Sequence, residues 1–246
     1  LFDWQTRQPI PIPDEQFPNP WNITEAHWTP DGSRFSFVYN ERGHQVLRLI
    51  EVDPAKASVR TLIDERSATF IDYAYKRHLH RLDETHEAIW MSERDGWNHL
   101  HLYDTETGAV KSQITHGEWV VRGVDRVDAE RRQIWFHAGG IDPAQDPYHV
   151  LYCRVNFDGS DLVILTPGDG THDIQYSPDR SCFIDRYSRV DLPPVSELRR
   201  SDDGSLICSL ETADISELVE LGWRSPERFV APGRAGETPI YGVLYR

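Results

Sequence analysis

Two histidine pairs come closest to a chemical motif in this chain of 246 residues. His78 and His80 flank one leucine, and His99 and His101 flank another. Residues two apart point to the same face of a β-strand, so each pair could chelate a metal ion. No carboxylate or third histidine is spaced to complete either ligand set. We therefore interpret both pairs as polar strand positions, and we predict no metal site and no cofactor.

Motifs of covalent catalysis and phosphate binding are missing from the sequence. It contains no Gly-x-Ser-x-Gly nucleophile elbow, no Gly-x-x-x-x-Gly-Lys loop and no Cys-x-x-Cys pair. Most aspartates stand in turn sequences such as Asp31-Gly32 and Asp158-Gly159, where the carboxylate accepts hydrogen bonds from the backbone. A glycosidase using carboxylates from several strands is an alternative, but the pattern favours structural aspartates. We predict no catalytic residue in this chain.

Composition and charge limit the possible partners. The formal net charge is −14, which disfavours a nucleic-acid partner because phosphate binding needs a basic face. Hydrophobic residues make up 39% of the chain, enough for a packed core, but no apolar run is long enough to predict a membrane span. We interpret Cys153, Cys182 and Cys208 as small buried hydrophobic residues rather than disulfide partners.

A repeated sequence motif indicates the architecture that must position any site. An apolar strand end, an acidic turn and a second strand occur at Trp28, Leu82, Val127 and Tyr176, about 45 to 54 residues apart. Such a period, with four short strands in each repeat, is typical of propeller blades. The pattern predicts an all-β fold, a partial β-propeller of about four four-stranded blades, with a short helix and a hairpin at the C-terminal end.

The repeat also predicts the division of the chain. The four blades are expected at 25–66, 67–116, 117–168 and 169–212. Residues 1–24, which are rich in proline, are expected to form an irregular crossing segment or the end of a preceding blade. Residues 213–246 are expected to form a connector, with a helix at about 214–221 and a hairpin. Because the chain starts without methionine and stops within a strand, we expect it to be a fragment.

One segment, 92–104, identifies the sequence better than any other. It reads as strand, tight turn and strand around Asp95-Gly96. Further segments that carry the same family resemblance lie at 117–121, 177–179, 226–229 and 240–246. These segments resemble the N-terminal β-propeller of bacterial dipeptidyl peptidase IV-like enzymes, in the prolyl oligopeptidase family of serine peptidases. The resemblance covers nearly the whole chain from about Trp28 and ends where the α/β-hydrolase domain begins.

The resemblance implies a two-domain parent in which an eight-bladed propeller caps a hydrolase domain with a Ser-Asp-His triad. Such enzymes release dipeptides from peptides whose second residue is Pro or Ala. The triad and the paired glutamates that hold the substrate amine match no residue here, so the chain is expected to be inactive alone. Its partners would be its own hydrolase domain and the peptide, and the parent is expected to be periplasmic or secreted.

The resemblance also points to one substrate-facing segment, 67–76, which in the family runs over the active-site cavity. Phe70, Tyr73 and Tyr75 would then present aromatic walls to a peptide; alternatively, they pack between blades. The predicted function is to gate and line this cavity and to dock the hydrolase domain. A stand-alone propeller that binds a partner protein is the alternative. Unpaired strand edges in a partial propeller also predict edge-to-edge self-association.

Overall fold

Four antiparallel sheets, each with its strands in chain order, account for most of the computed structural model, which describes residues 1–246. Blade 1 comprises β1 (Pro20–Trp28), β2 (Phe35–Glu41), β3 (Val46–Asp53) and β4 (Ser58–Arg66). Blade 2 comprises β5 (Leu79–Leu82), β6 (Glu87–Ser92), β7 (His99–Asp104) and β8 (Val110–Gln113), with a 3₁₀ turn at Asp83–Thr85.

The second half of the chain repeats this plan. Blade 3 comprises β9 (Val120–Asp128), β10 (Gln133–Gly139), β11 (Val150–Asn156) and β12 (Val163–Ile164). Blade 4 comprises β13 (Thr171–Tyr176), β14 (Cys182–Arg189), β15 (Leu192–Arg200) and β16 (Leu206–Thr212). A short helix, α1 (Ser216–Glu220), and a hairpin of β17 (Glu227–Pro232) and β18 (Pro239–Leu244) follow. The predicted fold class is confirmed: an all-β chain with four four-stranded blades of a partial propeller.

Aspartates at the hairpin turns explain why the strands end where they do. In each such turn a carboxylate oxygen accepts the backbone N–H of the residue two positions on, and these aspartates are Asp31, Asp104, Asp158, Asp179 and Asp203. Hydrogen bonds from the Thr29 hydroxyl and from Ser33 lower the pKa of Asp31 to about 2. These carboxylates are therefore committed to turn structure.

The chain forms two compact units, and the first contains residues 1–116, 127–132 and 157–160. Its core between blades 1 and 2 joins Val38, Leu49 and Ile63 to Trp90 and Tyr103. The opposite face of blade 1 carries a second cluster, which the N-terminal segment covers with the side chains of Leu1, Ile12 and Phe17. Blade 1 is therefore buried on both faces, which explains its nearly continuous apolar strands.

The second unit contains residues 117–126, 133–156 and 161–246. Trp135, Leu165 and Phe183 form its core cluster. A buried network at blade 4 joins His172 to Asp185, with 2.7 Å between Nδ1 and Oδ1. By contrast, every residue of β16 is exposed.

The three cysteines are free, and they differ in exposure. Cys153 is buried, as predicted, whereas Cys182 is partly buried and Cys208 is exposed. The prediction fails for Cys208 because it lies in β16, whose residues are exposed on both faces. No helix in the chain combines the length and apolar character that a membrane crossing requires.

Candidate functional site

An aromatic cluster gathers where β2 ends and β3 begins. The imidazole of His44 stacks on Tyr73, with ring centroids 4.4 Å apart and an interplanar angle of 24°. It also makes edge contacts with Trp21, at 5.3 Å, and with Phe70, at 5.6 Å. Arg42 lies over the Trp21 ring at 5.2 Å. We call Trp21, His44, Phe70 and Tyr73 the aromatic cluster.

Backbone hydrogen bonds hold the segment 67–76 against the turn that carries His44. The N–H of Ile71 donates to the His44 carbonyl at 2.7 Å, and the N–H of Ser67 donates to the Gln45 carbonyl at 3.0 Å. The Gln45 side-chain amide in turn donates to the carbonyl of Ala68 at 2.9 Å. His44 itself has a left-handed backbone conformation, with φ of 58°. The aromatic rings are therefore carried on a turn and a loop that are fixed to each other.

The structure brings two of the three predicted substrate-facing residues together. Phe70 and Tyr73 belong to the aromatic cluster, whereas Tyr75 makes no ring contact with it and is 83% exposed. Phe70 remains 52% exposed, so its ring is not packed between blades. The residue of this segment that does pack on the core between blades 1 and 2 is Ile71. The aliphatic side chain of Ile71 therefore anchors this loop to the core, while the aromatic side chains of the loop remain partly exposed to solvent.

Sequence reasoning missed Trp21 and His44. Trp21 lies in β1 and His44 in the β2–β3 turn, so neither is near 67–76 in sequence. The only local indication of the site in the sequence was the Gly43-His44 turn. Histidine adopts the left-handed backbone conformation of such a turn more readily than a β-branched residue does.

A cavity of about 240 Å³ opens beside the aromatic cluster, between blades 1 and 2. Phe70 is shared between the cavity and the cluster. The wall is partly apolar and partly charged, and it consists of Leu47, Glu65, Arg66, Ser67, Ala68, Phe70, Ile71, Lys76, Met91, Ser92, Glu93 and Arg94. We call it the interblade pocket.

Buried polar side chains form a connected network in the wall of the interblade pocket. The Ser92 hydroxyl donates to Glu65 Oε1 at 2.7 Å, and Arg94 Nη2 donates to Glu65 Oε2 at 2.8 Å. Arg94 also donates to the Tyr103 hydroxyl. Burial works against the charge of Arg94, but Glu65 and Tyr103 outweigh it and raise the pKa of the guanidinium. Glu65 and Ser92 are each more than nine-tenths buried, so this part of the wall is preformed.

A larger cavity, of about 830 Å³, lies at the other end of the same two blades. Its buried carboxylate, Glu51, accepts hydrogen bonds from Arg34 at 2.9 Å and from Arg60 at 2.7 Å. Arg60 also donates to the carbonyls of Thr105 and Glu106 in blade 2. These charged groups join the two blades, and the lining hydroxyls of Thr29 and Ser33 donate to Asp31 as part of the β1–β2 turn.

The histidine pairs do not assemble a ligand set. The rings of His78 and His80 lie parallel with centroids 6.4 Å apart. Burial lowers the pKa of His78 to about 4, with a smaller contribution from His80, and burial likewise lowers the pKa of His101 to about 4. No group of three or more His, Cys, Asp or Glu side chains is arranged to hold a metal ion. His80 lies in β5, and His99 and His101 lie in β7, as predicted, whereas His78 precedes β5 and is outside the strand.

Comparison with known proteins agrees with this architecture. The family model for the dipeptidyl peptidase IV (DPP IV) N-terminal region matches residues 3–194. Dipeptidyl peptidase 4 from Porphyromonas gingivalis has a TM-score of 0.68 and 19% identity, over 90% of this chain and 31% of that one. A Bacteroides ovatus ATCC 8483 protein described as a candidate dipeptidyl aminopeptidase IV has a TM-score of 0.67 and 21% sequence identity, over 89% of this chain and 33% of that one. These structures share the fold, and the chain spans about a third of their length.

Proposed function

Because this chain belongs to the family of dipeptidyl peptidase IV N-terminal regions, we propose that it is the non-catalytic propeller portion of a DPP IV-like serine peptidase. In this role it lines the peptide cavity, limits access to it and docks a hydrolase domain that supplies the Ser-Asp-His triad. In this proposal the catalytic nucleophile belongs to the hydrolase domain, and proteolysis is the activity of the parent.

The aromatic cluster is the observation that carries this proposal. Tyr73 stacks on His44 and Phe70 makes an edge contact with the same imidazole, yet Phe70 leaves about half of its surface to solvent. A rigid, partly exposed aromatic surface suits the ring of proline and the flat peptide bonds beside it, because burial against aromatic faces is favourable at little entropic cost. Tyr75, which is more exposed, extends the same segment toward solvent.

The C-terminal hairpin supports the docking role. Arg228 of β17 forms ion pairs with Asp191 at 3.2 Å and with Asp169 at 3.7 Å, which tie the hairpin to blade 4. Phe229, Val230 and Ile240 of the hairpin are about half exposed or more. Exposed apolar side chains on an anchored hairpin are the expected surface for a neighbouring domain.

The exposed strand β16 supports the expected edge-to-edge association of the isolated chain. Leu206, Ile207 and Leu210 are each about half exposed on this strand, which ends the sheet of blade 4. Such an edge offers unpaired backbone groups to a second copy. Light scattering should show dimers or larger species as concentration rises, and a stable monomer at all concentrations would contradict this part of the proposal.

A binding experiment tests the cavity-lining role. The peptide Gly-Pro-Leu is titrated into the purified chain and into a Tyr73→Ala variant, with Trp4→Ala as a matched control because Trp4 is 83% exposed and makes no ring contact with the cluster. We expect Tyr73→Ala to weaken binding about threefold to tenfold, in line with the contribution of an aromatic contact. Equal affinity for Tyr73→Ala and the unmodified chain would refute the assignment of the cluster.

A further inference from the structure

The interblade pocket has the size of a site for one side chain. Its volume of about 240 Å³ is below the roughly 300–1,000 Å³ of pockets that hold drug-sized ligands. Apolar side chains of Leu47, Phe70, Ile71 and Met91 supply part of its wall. The inner wall is the hydrogen-bonded set of Glu65, Ser92 and Arg94. A guest would therefore meet a preformed cavity rather than a collapsing one.

The charges of the pocket separate into an inner, compensated group and an outer group. Glu65 is neutralised inside by Arg94, with 2.8 Å between Oε2 and Nη2. Outside, Lys76 pairs with Glu93 at 2.6 Å, and Arg66 pairs with Asp64 at 3.1 Å. The side chains of Lys76 and Arg66 are 42% and 61% exposed. Ion pairs with this much solvent contribute little to stability, so an incoming anion can replace the carboxylate of Glu93 or Asp64 at small cost.

Cations outnumber carboxylates among the lining residues. Arg66, Lys76 and Arg94 face Glu65 and Glu93, in a chain whose formal charge is −14. Asp64 lies outside this lining but pairs with Arg66, so the local charges balance, and an anion gains by replacing Asp64 or Glu93 on the two exposed cations.

A buried amide adds an unused donor to the same face of blade 1. The register pairs Asn40 with Leu47 and Leu47 with Glu65, so all three side chains share one face of the sheet. Asn40 is 3% exposed, and its Oδ1 is engaged by His44 Nδ1 at 3.2 Å, but its Nδ2 has no acceptor. A buried donor without an acceptor is costly, but Asn40 does not line the pocket, so this amide makes no direct contact with a guest.

We propose that the interblade pocket binds a peptide carboxylate carried on a short apolar stem, with the stem against Leu47, Ile71 and Met91 and the carboxylate on Lys76 and Arg66. The carboxylate could be the C-terminus of a peptide that ends in an aliphatic residue, or the side chain of a glutamate. The proposal rests on the proposed role in lining the peptide cavity. It adds a second contact point that would favour short or acidic peptides.

Acetylated peptides test this pocket on the chain as it stands, without any peptidase activity. Acetyl-Ala-Ala-Leu with a free C-terminus, the same peptide as its amide, and acetyl-Ala-Glu-Ala amide are titrated by calorimetry at low salt. We expect the first peptide to bind at least tenfold more tightly than its amide. Tighter binding of the glutamate peptide than of the free acid would support the pocket with an acidic side chain as the occupant, and comparable binding of the two would support it for either carboxylate. Equal affinity of the free acid and both amides, or no binding by any of them, would overturn the proposal.

Two substitutions separate the pocket from the rest of the surface. Lys76→Met removes one of the two cations proposed to bind the peptide carboxylate. It should weaken the affinity for the free-acid peptide at least fivefold and leave the affinity for the amide unchanged. Lys56→Met is the matched control, because Lys56 is 73% exposed and pairs with Asp53 in the other cavity. An unchanged affinity in Lys76→Met would refute the pocket. Tyr73 does not line the pocket, so the Tyr73→Ala result judges the aromatic cluster independently.

Discussion

Replacement of Glu87 by glutamine should show how much one buried carboxylate stabilises the first unit. Glu87 is 2% exposed at the start of β6. Its carboxylate accepts hydrogen bonds from Lys111 at 2.5 Å, from Arg132 at 2.8 and 3.1 Å and from the Thr85 hydroxyl at 2.8 Å. Arg132 also covers the ring of Phe157 at 4.7 Å. The carboxylate therefore joins a turn, a strand and a distant hairpin in one network.

The pKa of Glu87 gives the size and the sign of the effect. Burial raises it, but hydrogen bonds from Arg132, Lys111 and Thr85 outweigh burial and lower it from 4.5 to about 2. A lowered acid pKa contributes stability that is fully present above about pH 4.5 and is lost as pH falls toward 2. The lowering corresponds to about 3 kcal/mol near neutral pH. Glu87→Gln should lose about that amount, because it also leaves Lys111 and Arg132 without their counterion.

Urea unfolding followed by tryptophan fluorescence at pH 7, 5, 4 and 3 measures this difference. The gap between the unmodified chain and Glu87→Gln should be about 3 kcal/mol at pH 7 and should narrow steadily below pH 4.5. Glu84→Gln is the control, since Glu84 lies exposed in the preceding turn and should change stability by less than about 0.5 kcal/mol. A loss below about 1 kcal/mol at pH 7, or a gap that persists undiminished at pH 3, would refute the reasoning.

Three further predictions concern buried groups and turns. Burial raises the pKa of the Cys153 thiol, so Ellman's reagent should modify exposed Cys208 at once and Cys153 only after unfolding; equal rates would contradict this. Gly96 and Gly204 both have positive φ, at 93° and 70°, but a Cβ on Gly204 would lie 2.4 Å from the Leu165 carbonyl oxygen, whereas one on Gly96 would meet nothing within 4 Å. Gly204→Ala should therefore lose at least about 1 kcal/mol more stability than Gly96→Ala, by urea unfolding, and equal losses would count against the close contact. Because burial lowers the pKa of His78 and His101 to about 4, their NMR ring-proton shifts should stay flat from pH 5.5 to 8, and a midpoint near 6.5 would show that they are solvated. Their neutral forms are favoured on folding, so this contribution to stability is present above about pH 6.5 and falls as the pH drops.

The blades could be predicted because their signals are local. The turn at Asp95-Gly96 needs a glycine in the left-handed conformation, and the alternation of apolar and polar residues after it predicts β7. About a dozen residues therefore suffice to predict a pair of strands. The acidic turn then repeats once per blade, which reveals the number of repeats. The exposure of β16 was not predictable, because its apolar residues look like those of a buried strand and only the absence of a covering neighbour distinguishes them.

The candidate site was predictable only in part, since it combines three separate stretches of chain. Phe70 and Tyr73 could be named from one segment, but their partners Trp21 and His44 come from β1 and from the β2–β3 turn. The interblade pocket depends on Glu65 of β4 meeting Ser92 and Arg94 at the end of β6. Such contacts follow from the packing of blade 1 on blade 2, which no sequence period specifies.

The most direct test of the central claim is a calorimetric titration of Gly-Pro-Leu into the purified chain. The peptide is then recovered and its mass is measured by mass spectrometry. A non-catalytic propeller that lines the peptide cavity should bind the peptide saturably and return it intact. Release of the dipeptide Gly-Pro would show that the chain carries its own catalytic residues. A complete lack of binding would show that the exposed aromatic cluster does not face peptide.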